Sequence, residues 1–314
     1  MIVVAGFNTA IDVQIDVDIL QPGRVQRSSA AQRAFGGKGL HVAQTIAALG
    51  EPVRLVGLTD AAHRAPLQQT LRERDVDFHA IEAGPLRECW AIRECDGRTT
   101  ELLQPGPILD RTQVQALCEA LLRATQDATL VVLSGSLPPG CDDDLYAGLV
   151  ERLQARGLRC LLDASGAALQ RGVTAKPYAL KPNRDELEGL TGMHIATLED
   201  GVDALAVLRN AGIAAPLLSL GDAGALLATD HGTWHAHAPV AAPVHTIGSG
   251  DCLLAGFATA LQRGMDDGQA LRLAVACGAA NAAREEPGYV PPGVAAQWLD
   301  RVELRTLGDR EQRS

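Results

Sequence analysis

The sequence predicts an α/β fold, in which a mostly parallel sheet alternates with helices and a small second sheet stands beside it. Short apolar runs recur along the chain, and each is followed by turn residues and a helical pattern, as in successive right-handed βαβ units. Two further stretches, 11–28 and 86–103, are extended instead, and the second contains the hairpin signal Asp96-Gly97. The apolar runs lie at 2–5, 53–58, 130–133, 158–163, 178–181 and 216–220.

Composition and charge narrow the classes of function. The chain has 314 residues, of which 46% are hydrophobic and 21% charged, which is typical of a globular protein. The formal net charge is −10. Nucleic acids and anionic membranes bind basic surfaces, so we expect neither as a partner. A phosphate-bearing ligand stays compatible, because a few local cations and backbone N–H groups suffice to hold one.

The cysteines and the apolar segments indicate the compartment. Seven cysteines are scattered without a CxxC pair, which favours reduced thiols over disulfides or a zinc site. Met1 to Gly6 reads as a first strand and lacks the pattern of a signal peptide. No apolar run reaches the ~18 residues of a membrane span. We therefore expect a cytoplasmic protein.

The segment Gly248-Ser249-Gly250-Asp251 precedes an apolar helical run. Backbone N–H groups at a helix start are unsatisfied and attract anions, and glycines let a phosphate approach closely. A carboxylate at this point could take a proton from a hydroxyl that attacks a phosphoryl group. A plain turn with Asp251 as a helix cap explains the residues equally well.

Three other segments carry similar signals. Gly36-Gly37-Lys38-Gly39 precedes a helix but lacks the spacing of a Walker A loop. Asn183 and Glu186 are three residues apart at a helix start, which suits either a water-coordinated Mg²⁺ or a helix cap. The stretch 219–224 ends a strand in a glycine turn, which suits either a nucleotide site at the sheet edge or a simple hairpin.

Taken together, the four segments resemble the PfkB carbohydrate kinases of the ribokinase type. The matches are Gly36 to Gly50, Asn183 to Glu186 and Thr246 to Gly256. Further matches resemble the branch of 1-phosphofructokinases and tagatose-6-phosphate kinases; they are 133–140, Asp163 with Ser165, 181–183 and 105–107.

This resemblance implies a ribokinase-like three-layer α/β/α sandwich with a small β-sheet lid. Residues 1–300 would form one kinase domain, with lid strands from about 9–28 and 86–104. Residues 301–314 would be a polar and frayed C-terminal tail. The lid often mediates dimerisation in the family, so a homodimer is an expected assembly.

The resemblance also implies roles for individual residues. Asp251 would be the catalytic base, with an anion hole at Gly248, Ser249 and Gly250. The substrate would be a sugar or sugar phosphate, and its contacts would be Asp12, Gly36, Gly37, Lys38, His41, Arg87 and Ser136. ATP would contact Lys181, Asn183, Ser219, Gly221, Gly224, Gly250 and Asn281. Asn183 and Glu186 would position Mg²⁺ through water, and K⁺ is a further candidate cofactor.

The sugar half departs from the family pattern. His41 stands where the family usually has asparagine, and Cys89 and Ala91 replace the arginine and asparagine of the lid. A thiol cannot replace a guanidinium on phosphate, and strand parity places Arg87 and Arg93 on the face of Cys89 as substitutes. The expected reaction is phosphoryl transfer to a ketohexose phosphate. The alternatives are a kinase for an unphosphorylated sugar and a non-catalytic sugar or nucleotide sensor.

Overall fold

The computed structural model describes residues 1–241 and 243–307. Its strands form one sheet of ten strands and one of four. In chain order they are β1 (Ile2–Gly6), β2 (Ala10–Val17), β3 (Ala30–Gly36), β4 (Val53–Thr59), β5 (Val76–Glu82), β6 (Arg87–Glu94), β7 (Thr99–Leu103), β8 (Leu130–Ser134), β9 (Arg159–Asp163), β10 (Ala179–Leu180), β11 (Ala215–Ser219), β12 (Ala225–Thr229), β13 (Gly232–His237) and β14 (Glu303–Leu307).

The large sheet has the order β14-β13-β12-β11-β10-β9-β8-β1-β4-β5. From β5 to β11 every neighbouring pair is parallel, whereas β11 to β14 run antiparallel. The six apolar runs of the sequence form β1, β4, β8, β9, β10 and β11. The prediction of a mostly parallel sheet is therefore confirmed.

Helices cover both faces of the large sheet. They are α1 (Lys38–Ala48), α2 (Arg64–Glu73), α3 (Arg111–Ala124), α4 (Leu145–Gln154), α5 (Gly166–Thr174), α6 (Arg184–Thr191), α7 (Leu198–Asn210), α8 (Ser249–Gln262), α9 (Asp267–Ala282) and α10 (Val294–Leu299). Successive side chains of a strand point to opposite faces. Accordingly, Ile2 and Val4 of β1 join a core with α1, α8 and α9, whereas Val3 and Ala5 join a core with α3, α4 and α7. The predicted three-layer sandwich is confirmed.

The four-stranded sheet, called the small sheet below, has the order β3-β2-β6-β7. Its hairpin β6–β7 turns at Asp96-Gly97 as predicted. The extended stretch 11–28 is wrong beyond Val17, because residues 18–29 form no strand and β3 follows instead. Strand β3 carries no apolar alternation, and its residues 30–34 are exposed, so no pattern in the sequence indicates it.

The C-terminal segment differs from the frayed tail that the sequence predicted. Residues 303–307 form β14, which pairs with β13 at the edge of the large sheet. The neighbouring Val302 is 6% exposed and anchors the segment to the core. Residues 308–314 lie outside the described part of the chain. Within that part, no helix has both the length and the apolarity needed to cross a membrane, and the seven cysteines are free thiols.

Candidate active site

Asp251 lies in the first turn of α8, where the sequence placed it. Helix α8 begins after Gly248, which has a φ of 73° and packs so closely on Gly288 that a methyl group there would lie 2.6 Å from the Gly288 backbone. Only glycine combines this backbone conformation with this close contact. The turn therefore places the Asp251 carboxylate, 8% exposed, in contact with His41.

Two of the three predicted anion-hole amides have no hydrogen-bond partner among the described residues. The Ser249 N–H donates to the Thr246 carbonyl at 3.1 Å, so it is not free to bind an anion. The N–H groups of Gly248 and Gly250 make no such bond within residues 1–241 and 243–307. An anion at this helix start would therefore meet two amides and the positive end of the helix dipole.

His41 of α1 lies between Asp251 and Asp12. Its Nδ1 is 2.9 Å from Oδ2 of Asp251, and its Nε2 is 3.0 Å from Oδ2 of Asp12. Burial alone would lower the pKa of His41, but hydrogen bonds to the two carboxylates and their charges outweigh it and raise that pKa to about 10. For Asp251, burial would raise the pKa, and the His41 hydrogen bond and nearby cations lower it instead.

Two lysines and a third carboxylate complete the charged cluster. Asp163, at the end of β9, has a fully buried side chain with Lys38 Nζ at 3.1 Å and Lys181 Nζ at 3.3 Å. Burial would lower the pKa of Lys38, but the charges of Asp163, Asp251 and Glu186 raise it. Lys38 therefore stays charged, and both lysines act electrostatically on the Asp251 carboxylate.

The small sheet covers this cluster with a polar face. Asp12 pairs in register with Cys89, and the next positions along place Gln14 beside Ala91 and Ala91 beside Glu101. Burial, together with the charges of Asp12 and Asp251, raises the pKa of Glu101. The space between this face and Ile247 and Pro287 is about 20 Å³. That volume holds about one water molecule.

The two arginines of β6 have different partners. Arg93 donates to both oxygens of Asp16, at 2.7 and 3.0 Å. Arg87 donates instead to backbone carbonyls of Asn8 and Gln104, at 3.1 and 3.3 Å. Arg87 has no carboxylate partner in the described residues, so its charge is available to an anionic ligand.

Ser136 and Arg87 are both hydrogen-bonded to Asn8. The amide of Asn8 donates to Ser136 Oγ at 3.1 Å, while the Asn8 carbonyl accepts from Arg87. The serine hydroxyl thus keeps its own proton for donation to a ligand. Together, Arg87 and Ser136 present one charged and one neutral donor at the start of the small sheet.

The predicted nucleotide residues meet at the carboxyl ends of β10 and β11. Ser219 forms a bridge with Asn183, and Gly221 and Gly224 shape a tight turn with φ values of 63° and 85° before β12. At Gly224, a methyl group would lie 2.0 Å from a carbonyl of β13. Asn183 and Glu186 cap α6 reciprocally, at 2.8 and 2.9 Å.

Asn281, a predicted nucleotide contact, is hydrogen-bonded to the loop before α8. It is fully buried, and its amide donates to the Ile247 carbonyl at 2.8 Å and to Ser249 Oγ at 2.9 Å. Its Oδ1 accepts from Gly288 N–H at 2.7 Å. Asn281 therefore braces the loop before α8 against the segment around Gly288.

Asn183 and Glu186 are suited to a metal ion that is held mainly by the phosphates of a nucleotide. Within the described residues, no group of three or more His, Cys, Asp or Glu side chains is arranged to hold a metal ion. The capping box leaves Glu186 Oε1 without a hydrogen bond in that part of the chain, and its charge acts on Lys38. Mg²⁺ usually keeps several waters and binds substrate phosphates with one or two carboxylates, so Glu186 and Asn183 fit an outer position.

Three site residues were missed by the sequence analysis. Glu101 and Gln14 lie in the small sheet among ordinary strand residues, and nothing in their spacing marks them. Gly288 lies in a loop, and its contact with His41 depends on residues 247 positions apart in the chain. Only the fold brings these residues to Asp251.

A ribokinase-like sandwich with a buried carboxylate at a helix start defines a class of phosphoryl-transfer enzymes. The chain belongs to the pfkB family of carbohydrate kinases, whose model matches residues 1–292. It is thus a phosphotransferase with an alcohol group as acceptor. A 1-phosphofructokinase of Xanthomonas campestris pv. campestris is 36% identical over 279 residues, which cover 86% of this chain and 87% of the relative.

Solved structures share the fold. Phosphofructokinase-2 from Escherichia coli in complex with substrates and products has a TM-score of 0.88 at 24% identity, over 95% of this chain and 98% of that one. A possible 1-phosphofructokinase from Thermotoga maritima has a TM-score of 0.85 at 22% identity, over 98% and 99%. Ribokinase from Arabidopsis thaliana, complexed with ribose and ATP, has a TM-score of 0.75 at 22% identity, over 95% and 98%.

Proposed function

We propose that the chain transfers the γ-phosphoryl group of MgATP to a hydroxyl of a ketohexose phosphate, of the fructose 1-phosphate or tagatose 6-phosphate type. The observation that carries the proposal is the Asp251 carboxylate, buried at the start of α8 beside Lys38 and Lys181. The 1-phosphofructokinase relative supports a sugar phosphate as acceptor.

Asp251 acts as the general base. Its lowered pKa keeps it ionised at neutral pH, and His41 links it to Asp12 of the small sheet, a predicted sugar contact. It accepts the hydroxyl proton as the oxygen attacks the γ-phosphorus. The free N–H groups of Gly248 and Gly250 stabilise charge on the transferred group.

ATP lies over the turn at Ser219 to Gly224, with its phosphates directed to the start of α8. When bound, Mg²⁺ would neutralise charge on the phosphates. Glu186 and Asn183 would hold it through water. Lys38 and Lys181 add positive charge beside the phosphoryl group. Asp163 holds both lysines in place.

The phosphate already on the acceptor is held by Arg87 and Ser136. Arg87 is favoured over Arg93, because a bidentate Asp16 pair already neutralises Arg93. Nη2 of Arg87 makes no hydrogen bond among the described residues, and a guanidinium nitrogen and a hydroxyl both suit phosphate oxygens. Arg87 thus takes the role that Cys89 cannot fill.

The second candidate is a kinase for an unphosphorylated sugar. It is favoured by the face around Cys89, where the carboxyl of Glu101 lies near Asp12 and would repel a phosphate placed there. Burial raises the pKa of Cys89 to about 11, so at neutral pH the thiol is uncharged and offers no attraction to an anion. Sugar hydroxyls, in contrast, can donate to these carboxylates.

Two further features of the enzyme follow from the same proposal. The small sheet acts as a lid and as a dimer surface, and the exposed Leu102 and Leu103 of β7, at 58% and 61%, support this role. K⁺ is a candidate activating ion, since an Escherichia coli phosphofructokinase-2 structure contains potassium. The enzyme is expected to act in the cytoplasm.

A panel of acceptors with MgATP tests the proposal. Fructose 1-phosphate, tagatose 6-phosphate and fructose 6-phosphate are compared with free fructose and tagatose, and ADP release is measured. We expect at least one ketohexose phosphate to give the highest kcat/KM. Equal turnover of the free sugars would contradict the phosphate site, and no ATP-dependent turnover of any acceptor would favour the non-catalytic sensor.

The variant Arg87→Gln locates the phosphate site. Loss of a charge-assisted hydrogen bond of about 1.5–3 kcal/mol should raise the KM for the sugar phosphate roughly 10- to 100-fold. The control is Arg98→Gln in the β6–β7 turn, where the arginine is 64% exposed and pairs with Glu94 and Asp96. A KM that is the same in both variants would exclude Arg87 from the site.

A further inference from the structure

The contact of His41 with two carboxylates fixes the state of its ring. Ionised carboxylates accept hydrogen bonds and cannot donate them, and a neutral imidazole has a single N–H. His41 lies 2.9 Å from Asp251 and 3.0 Å from Asp12, one carboxylate at each ring nitrogen. Both nitrogens donate only if the ring is an imidazolium.

The His41 ring and its partner Asp12 are closely packed by glycine backbone. A methyl group at Gly288 would lie 2.1 Å from Cγ of His41, and one at Gly36 would lie 2.0 Å from Oδ2 of Asp12. Gln44 donates to the Gly288 carbonyl at 2.7 Å, and Asn281 accepts from the Gly288 N–H at 2.7 Å. The loop that covers the ring is thus fixed on both sides.

Charged and titratable groups from several elements surround this pair of contacts. They are Asp12 on β2, Lys38 on α1, Cys89 on β6, Glu101 on β7, Asp163 on β9, Lys181 after β10, Glu186 on α6, His245 before α8, and Asp251 and Cys252 on α8. Of these, only Asp12 and Asp251 are hydrogen-bonded to His41 in the described residues.

We propose that His41 is a positioning residue for the base, in that its imidazolium holds Oδ2 of Asp251, turns the other oxygen toward the acceptor hydroxyl, and links the base to Asp12 on the small sheet. The inference rests on the proposed function, because it presupposes that Asp251 takes the proton. The asparagine usual at this position could donate from one nitrogen only and would carry no charge.

The physical advantage is electrostatic. ATP and a sugar phosphate bring several negative charges to the site, and like charges raise the pKa of a carboxylate. A fixed cation in contact with Asp251 opposes this effect and keeps the base ionised when both substrates are bound. His41 is nearer to Asp251 than any other cation that contacts it in the described residues.

The first test is the pH profile of His41→Asn. An opposite charge in contact lowers a carboxyl pKa by about 1–3 units, so its loss should move the acidic limb of kcat/KM up by about one unit or more. At pH 7, kcat should fall by up to about 10²-fold, with a smaller change in KM. An acidic limb at the wild-type pH would overturn the proposal.

The control for this variant is His231→Asn. His231 also contacts a carboxylate, that of Asp267 at 2.8 Å, but it is 81% exposed and lies on the β12–β13 turn. We expect its profile to match that of the wild type. Thermal unfolding of all three proteins shows whether the His41 effect exceeds a loss of folded protein.

The second test needs no turnover. The ¹⁵N shifts of the His41 ring in the wild-type protein should show both nitrogens protonated at pH 8.5. In urea, the same ring should titrate with a pKa of about 6.5. A neutral His41 ring at pH 8.5 would overturn the positioning role of His41 even in an active enzyme. An enzyme that phosphorylates no acceptor but keeps a doubly protonated His41 would contradict the proposed function instead.

Discussion

Replacement of Asp251 by asparagine separates proton abstraction from substrate binding. The amide keeps nearly the same size and retains an oxygen that can accept from His41, but it cannot take a proton. The variant therefore removes the base while it preserves the packing at the start of α8. We expect kcat to fall by roughly 10²–10⁴, where each factor of ten corresponds to about 1.4 kcal/mol in the barrier.

The charges around the site predict the direction of the binding change. In the wild type, the cations of Lys38, Lys181 and His41 face three carboxylates, Asp12, Asp163 and Asp251. Asp251→Asn leaves this cluster with one excess positive charge. MgATP and a sugar phosphate are anionic, so their Kd values should stay the same or decrease.

Steady-state kinetics and direct ATP binding by calorimetry measure the two effects separately. The expected result is a large loss of kcat with unweakened ATP binding. A kcat near the wild-type value would refute Asp251 as the base. A parallel loss of ATP affinity would mean that Asp251 serves binding, and the assignment would again be refuted.

Two further changes test how the site is built. Gly288→Ala should reduce kcat/KM and move the acidic limb of its pH profile upward, as in the His41 variant, because the new methyl group displaces the His41 ring. The control Gly23→Ala, with a φ of 78° and no neighbour within 4 Å, should share the backbone strain but keep the wild-type profile. Equal pH profiles for the two glycine variants would contradict a role of Gly288 in placing His41. Asp163→Ala should destabilise the fold by about 3 kcal/mol in urea unfolding, because it leaves the buried Lys181 and the partly exposed Lys38 without their carboxylate. Asp127→Ala, which removes an exposed partner of an arginine, should unfold close to the wild type, and similar midpoints for the two aspartate variants would show that the Asp163 pairs contribute little.

Local patterns in the sequence predicted the elements whose signals are local. The six apolar runs became strands because a parallel strand covered on both faces must be apolar throughout. The position of Asp251 followed from Gly248, since a left-handed residue before an apolar helix sets where the first turn begins. Strands β3 and β14 were missed because each lies at a sheet edge with exposed side chains, where burial imposes no pattern.

From the residues alone, the start of α8 was predicted as a possible site for an anion and a proton, because it combines glycines with a carboxylate. Which groups surround that carboxylate depended on the fold. His41 and Asp251 are 210 residues apart, and their contact exists because α1 and α8 pack against each other in the same core of the large sheet. The tertiary structure also distinguishes Arg87 from Arg93 as candidates for the phosphate site. Strand parity places both on the same face, but only Arg93 is neutralised by Asp16. Spacing along the chain cannot reveal such contacts, because the distances between charges that set their energies are fixed only when the sheets are assembled.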